Sequence, residues 1–457
     1  MNSTAPVAIV GAGPAGLSIA RALRRVDVPY VQYERHTDIG GIWDIDNPGT
    51  PMYESAHFIS SRRTSGFHDF PMPDTYPDYP GHRQILAYTR AFADAFGLRD
   101  AIRCGTEVVD VDRDTDGDGW TVVLADGTRH AHSAVVCASG VTWTPRSPRH
   151  EGRFDGEIRH SVTHRSGIDF RGKRVLIVGL GNSGADIACD AAQNADAAFV
   201  SVRRGYHIVP KHVFGRPVDE LDDGAAVLPR RLEQLLVGGA LRLLQGDLSR
   251  WGLPKPDHRP LESHPLVNSQ LLHHLQHGDV AVRPDVDRLD GRRVRFVDGT
   301  SEELDLILHA TGYDWSIPYA QRWFSWRSGR TDLYLTAFER RHRGLFGLGL
   351  LETISSAYTL FDDISTVVAG YLHARNADPA AAAHFDRLIA HDRTPLTGGI
   401  RFVDSDRHRG YVDHRTFRRR LTEIRRRLGW PGLTPGCDDR LRRNPLRTPA
   451  GPARASL

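Results

Sequence analysis

The sequence predicts an α/β fold of two parallel sheets built from βαβ units, the second inserted in the first, with a helical excursion inside the second. Three observations predict it. Two apolar runs, Val7-Ala8-Ile9-Val10 and Val175-Leu176-Ile177-Val178, each lead into a glycine-rich turn. The turns read Gly11-Ala12-Gly13-Pro14-Ala15-Gly16 and Gly179-Leu180-Gly181-Asn182-Ser183-Gly184, and each opens a helix-like stretch. Two later apolar runs, Ala134 to Gly140 and Asp305 to Tyr313, are expected to return the chain to the first sheet after each excursion.

The glycine spacing has a physical use. The first glycine makes the tight turn, the second lets backbone approach a pyrophosphate, and the third lets helix pack on strand. The residues that follow distinguish the two units. After the first, the strand Val28 to Tyr33 ends in Glu34-Arg35. Glu34 lies eighteen residues past Gly16, where a carboxylate accepts hydrogen bonds from ribose hydroxyls. After the second, the strand Ala198 to Val202 ends in Arg203-Arg204, beginning nineteen residues past Gly184. Guanidinium groups bind a ribose 2′-phosphate that a carboxylate would repel. The first unit therefore reads as an FAD site and the second as an NADPH site, giving two Rossmann-like dinucleotide-binding domains. Such a chain is suited to moving a hydride from NADPH to flavin.

The elements follow in order. Residues 1–164 and 313–430 are expected to form the FAD domain and 165–312 the NADPH domain, with a helical insertion over 215–264. Gly40-Gly41-Ile42-Trp43 follows the first βαβ unit; paired glycines admit a planar ring and Trp43 can lie beside it. Prolines in Asp69 to Pro73 and Tyr76 to Pro80 predict a rigid loop lying over a surface. Ile85, Leu86, Tyr88, Phe92 and Phe96 predict a helix from Arg83 to Phe96. Glu107 to Val111 and Trp120 to Leu124 alternate as strands, with Asp126-Gly127 as a hairpin signal. Leu228, Leu232, Leu235, Leu236, Leu241 and Leu244 recur at helical spacing and predict a helix that covers the site. A strand from Leu345 to Leu351 and a helix through Ile364 and Leu372 complete the FAD domain. Phe417, Leu421, Ile424 and Leu428 predict an amphipathic helix on the body, with the arginines of 418–420 and 425–427 facing outward. Residues 431–457 hold few large apolar groups and are expected to form a disordered tail.

Composition narrows the function classes. With 457 residues, 40% hydrophobic and 25% charged, the chain has the makings of a multidomain enzyme with a sizeable core. A net charge of +3 gives no reason to expect a nucleic-acid partner. Cys104, Cys137, Cys189 and Cys437 show no CxxC spacing and are expected to be buried thiols in a reducing cytosol. No signal-like segment precedes Val7 and no apolar run reaches membrane-spanning length, so a cytoplasmic protein without a membrane partner is expected. A homodimer is compatible with the chain. His273, His274 and His277 read as a solvated helix face, and no metal is expected.

One family draws these features together. Phe154-Asp155-Gly156-Glu157-Ile158-Arg159-His160-Ser161-Val162-Thr163-His164-Arg165, just upstream of the second glycine turn, resembles the FxGxxxH fingerprint of flavin-containing monooxygenases and their Baeyer–Villiger relatives. Asp69-Phe70-Pro71, Gly40 to Trp43 and Ala310-Thr311-Gly312-Tyr313 match family motifs in order, over about residues 5–375. The resemblance implies a monooxygenase using FAD, NADPH and O2 to oxidise a small-molecule amine, sulfide or related nucleophile. Baeyer–Villiger or other carbon oxidation, or a non-oxygenating NADPH oxidase or redox-sensing flavoprotein, are the alternatives. Arg165 stands where Baeyer–Villiger enzymes typically carry tryptophan, which favours heteroatom oxidation. His164 stands where tyrosine or phenylalanine is usual, and Ile59 takes the place of an asparagine that the family sets near the flavin.

The resemblance and the loops together nominate the site. Gly11, Gly13, Pro14, Ala15, Gly16, Glu34, Arg35, Gly41, Trp43 and Val108 are assigned to FAD. Gly179, Gly181, Asn182, Ser183, Gly184, Arg203 and Arg204 are assigned to NADPH, with Thr311 and Gly312 also in the cofactor-binding set. Ser60, Ser61 and Arg62 are expected to face the reacting end of the flavin, and His160 to link the two domains near the nicotinamide.

Overall fold

Val7–Val10 is buried along its whole length because it runs between two parallel neighbours in the middle of a mixed sheet covered on both faces. The computed structural model describes residues 5–114, 119–221 and 228–433, so Cys437 and nearly all of the expected 431–457 tail lie outside it. The first sheet has seven strands in the order 333–334, 338–339, 345–347, 134–137, 7–10, 30–33 and 102–103. Helix α1 (Pro14–Arg25) starts on a proline, whose fixed φ suits the first helical turn. It packs against α5 (Ala357–Ala377). A buried ion pair at 2.7 Å between Arg21 and Asp362 locks the two helices together. The same guanidinium lies over Phe92 and Phe96 at 4.9 and 5.0 Å, so it also holds α2 (His82–Ala95). The other face of the sheet carries the three-stranded meander 108–113, 120–124 and 129–132.

The second sheet is parallel throughout, in the order 157–160, 306–309, 174–178, 197–201 and 280–283. Here the structure corrects the sequence reading. Ala134–Cys137 does pair with Val7–Val10 in the first sheet. Leu306–His309, expected there too, instead lies in the second sheet between Glu157–His160 and Arg174–Val178. A buried parallel strand is uniformly apolar in whichever sheet it enters, so periodicity could not choose its partner. Glu157–His160 likewise joins the second sheet from upstream of residue 165.

Three further expectations change. In α4 (Arg230–Gln245) the leucines mostly face solvent: Leu235 is 71% exposed and Leu236 55%, while Leu241 turns inward. In α6 (His414–Leu428) Phe417, Leu421 and Ile424 are buried as expected, but only half the arginines of 418–420 and 425–427 point away. Arg418 reaches Asp363 and Arg420 reaches Asp392, because the long stems lie along the helix flank before ending on a carboxylate. Cys104 is exposed, whereas Cys137 and Cys189 are buried. No helix among the described residues is long and apolar enough to cross a membrane.

Candidate functional site: two glycine turns across one joint

At the first turn the backbone demands glycine. Gly11 has φ +105°, and a Cβ there would sit 2.6 Å from the Ala138 carbonyl oxygen. A Cβ on Gly16 would meet the Gly11 oxygen at 2.0 Å, so α1 packs directly onto the turn. Gly41, at φ +60°, lies against Gly13; its Cβ would come within 2.9 Å of the Gly13 Cα. That contact brings Trp43 beside the turn, where it is buried edge-on to Phe58 at 4.7 Å. Glu34 is buried and accepts the Ala12 N–H at 2.6 Å and the His36 N–H at 2.9 Å. Each oxygen keeps a second lone pair for a ribose hydroxyl. Arg35 stacks on Trp143 at 4.3 Å, and Val108, the first residue of the meander, is buried in the core between meander and sheet.

The second turn repeats the design. Gly179 has φ +103°, and a Cβ on Gly184 would meet the Gly179 oxygen at 2.2 Å. A Cβ on Gly181 would point into open space. Helix α3 (Asn182–Asn194) starts there without a side-chain cap, as α1 does at Gly13. Uncapped first-turn N–H groups with the positive end of the helix dipole suit a pyrophosphate, so both turns fit a dinucleotide. Ser183 is exposed at this end, and Arg203 and Arg204 follow the strand 197–201 at its carboxyl edge. The Asn182 side chain is otherwise engaged: it donates to the Pro265 oxygen at 3.3 Å and accepts from the Val267 N–H at 2.9 Å.

The fingerprint segment forms the joint between the two bodies. His160 is buried, and its Nδ1 accepts the Val162 N–H at 3.1 Å. Nε2 therefore carries the proton and donates to the Gly312 oxygen at 3.1 Å. Burial lowers its pKa, with the Gly312 bond acting the other way, so the ring is neutral. The Gly312 oxygen also accepts the Arg146 N–H, and Thr311 bonds the Arg146 oxygen. Arg165 donates to the carbonyls of Met52, Val162 and His164 at 3.2, 2.8 and 2.9 Å.

Two residues that the sequence reading passed over complete this joint. Asp186 and Asp190 stand one turn apart on α3 and reach toward the other body. Asp186 accepts from Tyr53 Oη at 3.1 Å and from Asn268 Nδ2 at 2.8 Å. Asp190 accepts from Ser55 Oγ at 2.8 Å and meets His164 Nε2 at 3.0 Å. Burial pushes the Asp186 carboxyl up to about 6, opposed by Lys211 and by its two hydrogen bonds. His164 also stacks on Phe170, with ring centres 5.0 Å apart. An imidazole thus supplies the flat surface of the usual tyrosine or phenylalanine plus a polar tip. Two carboxylates at i, i+4 on α3 were the available signal.

The 60–65 segment is pinned from outside. Ser61 is fully buried; its N–H donates to Asp219 Oδ2 at 2.7 Å, and Thr64 bonds the same oxygen. Ser60 Oγ accepts from Ser65 Oγ at 2.6 Å and keeps its own proton to donate. The Arg62 guanidinium turns out to Asp74 at 2.8 Å. Asp219 belongs to the insertion, so the insertion holds a loop lying next to Trp43. Among the described residues no group of three or more histidines, cysteines, aspartates or glutamates could hold a metal ion.

A carboxylate-backed turn and a guanidinium-backed turn, tied across one joint, suit electron transfer between two dinucleotides. Fold and site together define a pyridine-nucleotide-dependent flavoprotein. The chain belongs to the flavin-binding monooxygenase-like family, whose profile matches residues 4–368. It is 31% identical over 386 residues to the indole-3-pyruvate monooxygenase YUCCA1 of Oryza sativa subsp. japonica, covering 78% of this chain and 90% of that one. It is 30% identical to flavin-containing monooxygenase 5 of Rattus norvegicus, over 73% of this chain and 66% of that one. In fold it is similar to the S-allyl-L-cysteine S-oxygenase of Allium sativum, with a TM-score of 0.64, 22% identity and coverage of 95% and 90%. It is also similar in fold to cyclohexanone monooxygenase in its Loose conformation, with a TM-score of 0.67, 19% identity and coverage of 93% and 98%. The chain is an FAD- and NADPH-dependent monooxygenase.

Proposed function

We propose that the chain oxygenates the nitrogen or sulfur of a small nucleophile. When bound, FAD supplies the redox chemistry, taking a hydride from NADPH and activating dioxygen. The protein's part is to bind and orient. Gly11, Gly13 and Gly16 with the α1 N-terminus hold the FAD pyrophosphate, Glu34 holds its ribose, and Gly41 and Trp43 flank the ring. Gly179, Gly181 and Gly184 with the α3 N-terminus hold the NADPH pyrophosphate, and Arg203 and Arg204 hold its 2′-phosphate. Ser60 supplies a hydroxyl proton where Ile59 has replaced an amide.

The state of His160 carries this reading. Nδ1 accepts an N–H and Nε2 donates to a carbonyl, so the ring is neutral, ties its own segment to Gly312 and moves no proton. An amine or sulfide brings its own lone pair and asks for no base. The test is to incubate the FAD-loaded protein with NADPH, 18O2 and a panel of amines, sulfides and ketones. Labelled N-oxides or sulfoxides are the expected products. Esters from ketones, with amines and sulfides untouched, would overturn the proposal.

Ile59 favours a second reading, in which NADPH is oxidised without oxygen transfer. Peroxide formed in equal amount to NADPH consumed, with every substrate in the panel, would establish it.

A further inference from the structure

Residues 396–413 loop from the FAD body to the insertion and back, with no regular structure beyond one turn, Asp406–His408. They lie past the part of the chain that the family profile matches. Tyr411, Val412 and His408 are buried, so this segment is a packed strap and is not draped over the surface. On the insertion side, the Val403 N–H donates to the Glu262 oxygen at 2.8 Å. His264 takes two further contacts. Its N–H donates to His408 Nε2 at 2.9 Å, and its Nδ1 lies 2.6 Å from Tyr411 Oη. On the FAD side, the Val412 N–H donates to the Glu352 oxygen at 3.0 Å, and Arg407 Nε meets the Glu352 carboxylate at 3.3 Å.

Each anchor leads to a glycine turn. Just past His264, the Pro265 oxygen and the Val267 N–H hold the side chain of Asn182, the first residue of α3, which directly follows Gly181. Just ahead of Glu352, Gly349 packs on the first turn, where its Cβ would lie 3.2 Å from the Ala15 Cβ. Burial, with Arg407 and His408 beside it, holds the His264 ring well below the ordinary histidine range, and burial holds the Tyr411 phenol above its own. A neutral imidazole and an intact phenol therefore share one hydrogen bond at neutral pH. A helix held at one place can pivot about it. The joint described above grips α3 through Asp186 and Asp190, and the strap steadies the segment that grips its first residue.

We infer that the strap 396–413 sets where the second turn stands relative to the first, with Tyr411 and His264 as positioning residues for the passage of a hydride from NADPH to FAD. This rests on the assignment of the second turn to NADPH. Neither residue touches the reacting atoms; they act through Pro265 to Val267 on Asn182. The strap is thus a determinant of the rate of flavin reduction, while the glycines and the arginine pair determine how tightly NADPH binds.

Anaerobic mixing of the FAD-loaded protein with NADPH measures flavin reduction, one hydride from each NADPH to each FAD. Tyr411→Phe removes the hydroxyl and keeps the ring, and His264→Leu removes the ring nitrogens. Each should slow reduction at saturating NADPH about tenfold or more, because a small misplacement of reacting groups is costly. The NADPH concentration giving half the maximal rate should stay within about twofold. The double variant should be no slower than either single one. His264→Asn keeps a polar atom at the Nδ1 position and should reduce at close to the unaltered rate. Arg407 is half-exposed, so Arg407→Gln loosens the FAD-side anchor in a folded protein and should slow reduction in the same way. Unchanged reduction in these variants, or a loss of NADPH affinity at an unchanged maximal rate, would overturn the strap and keep the cofactor reading. Failure of NADPH to reduce the unaltered protein would overturn both. Amide hydrogen exchange reads the same contact without turnover. In Tyr411→Phe, exchange should quicken over 182–186 and 264–268 and stay unchanged over 14–25. Uniform quickening, or none over 182–186, would overturn the strap.

Discussion

At the scale of single residues, the most exacting positions are those where a missing side chain is the functional feature. Gly16 is the sharpest case, because its Cβ would overlap the Gly11 oxygen by more than an ångström of normal contact distance. Both atoms belong to backbone that the sheet and α1 hold rigidly, so neither can yield. Gly16→Ala should destabilise the FAD turn by roughly 2 kcal/mol or more and leave the purified protein short of flavin. The absorbance ratio of flavin to protein measures this, and full occupancy in a normally stable variant would refute it. Gly181 makes the opposite case, since nothing in the protein opposes a side chain there. Its glycine is explained by the room a pyrophosphate needs.

At the scale of elements, the insertion does more than bridge two strands. Through Asp219 it accepts the Ser61 N–H and bonds Thr64, while the Lys211 oxygen, just ahead of the insertion, accepts from Tyr79. The proline-rich 50–80 loop therefore has a rigid shape partly because its middle and its last turn are held by distant segments of the chain. Asp219→Ala leaves a buried N–H at Ser61 without its acceptor. Stability should fall by about 1–3 kcal/mol. Because the loop borders Trp43, the share of NADPH that ends as hydrogen peroxide should rise as well. Chemical denaturation and a peroxide assay check the two effects, and an unchanged midpoint would show that the pin is idle.

At the scale of the whole molecule, the joint between the sheets is polar and titratable. Asp186 has its carboxyl raised from 3.8 to about 6 by burial. A carboxyl whose folded pKa is the higher one contributes stability that is present below the unfolded pKa, and that is lost as pH rises through the folded one. The window therefore runs from about pH 4 to about pH 7, and the full effect is on the order of 3 kcal/mol. Asp186→Asn keeps the shape and removes the titration. Its unfolding free energy relative to the unaltered protein should rise by roughly 1–2 kcal/mol between about pH 5 and about pH 8. A constant difference across that range would show that the seam does not titrate.

Much of the molecule was legible in the chain because the signals were local. A glycine turn between an apolar strand and a helix is set by contacts within a few residues, and Glu34 and the arginine pair follow at the end of the next strand. Those features pointed to both dinucleotide units and, with the fingerprint, to the family. What the chain could not show was decided by contacts distant in sequence. Leu306–His309 is equally apolar in either sheet, so only its pairing with Arg174–Val178 placed it. The α4 leucines carry a helical period that says nothing about which side faces a partner, and most of them face solvent. His160 and His164 could not be told from surface histidines until Gly312 and Asp190, remote in the chain, were seen to hold them. Periodicity records whether a segment can bury a face, whereas the choice of what covers that face is made by the assembled chain.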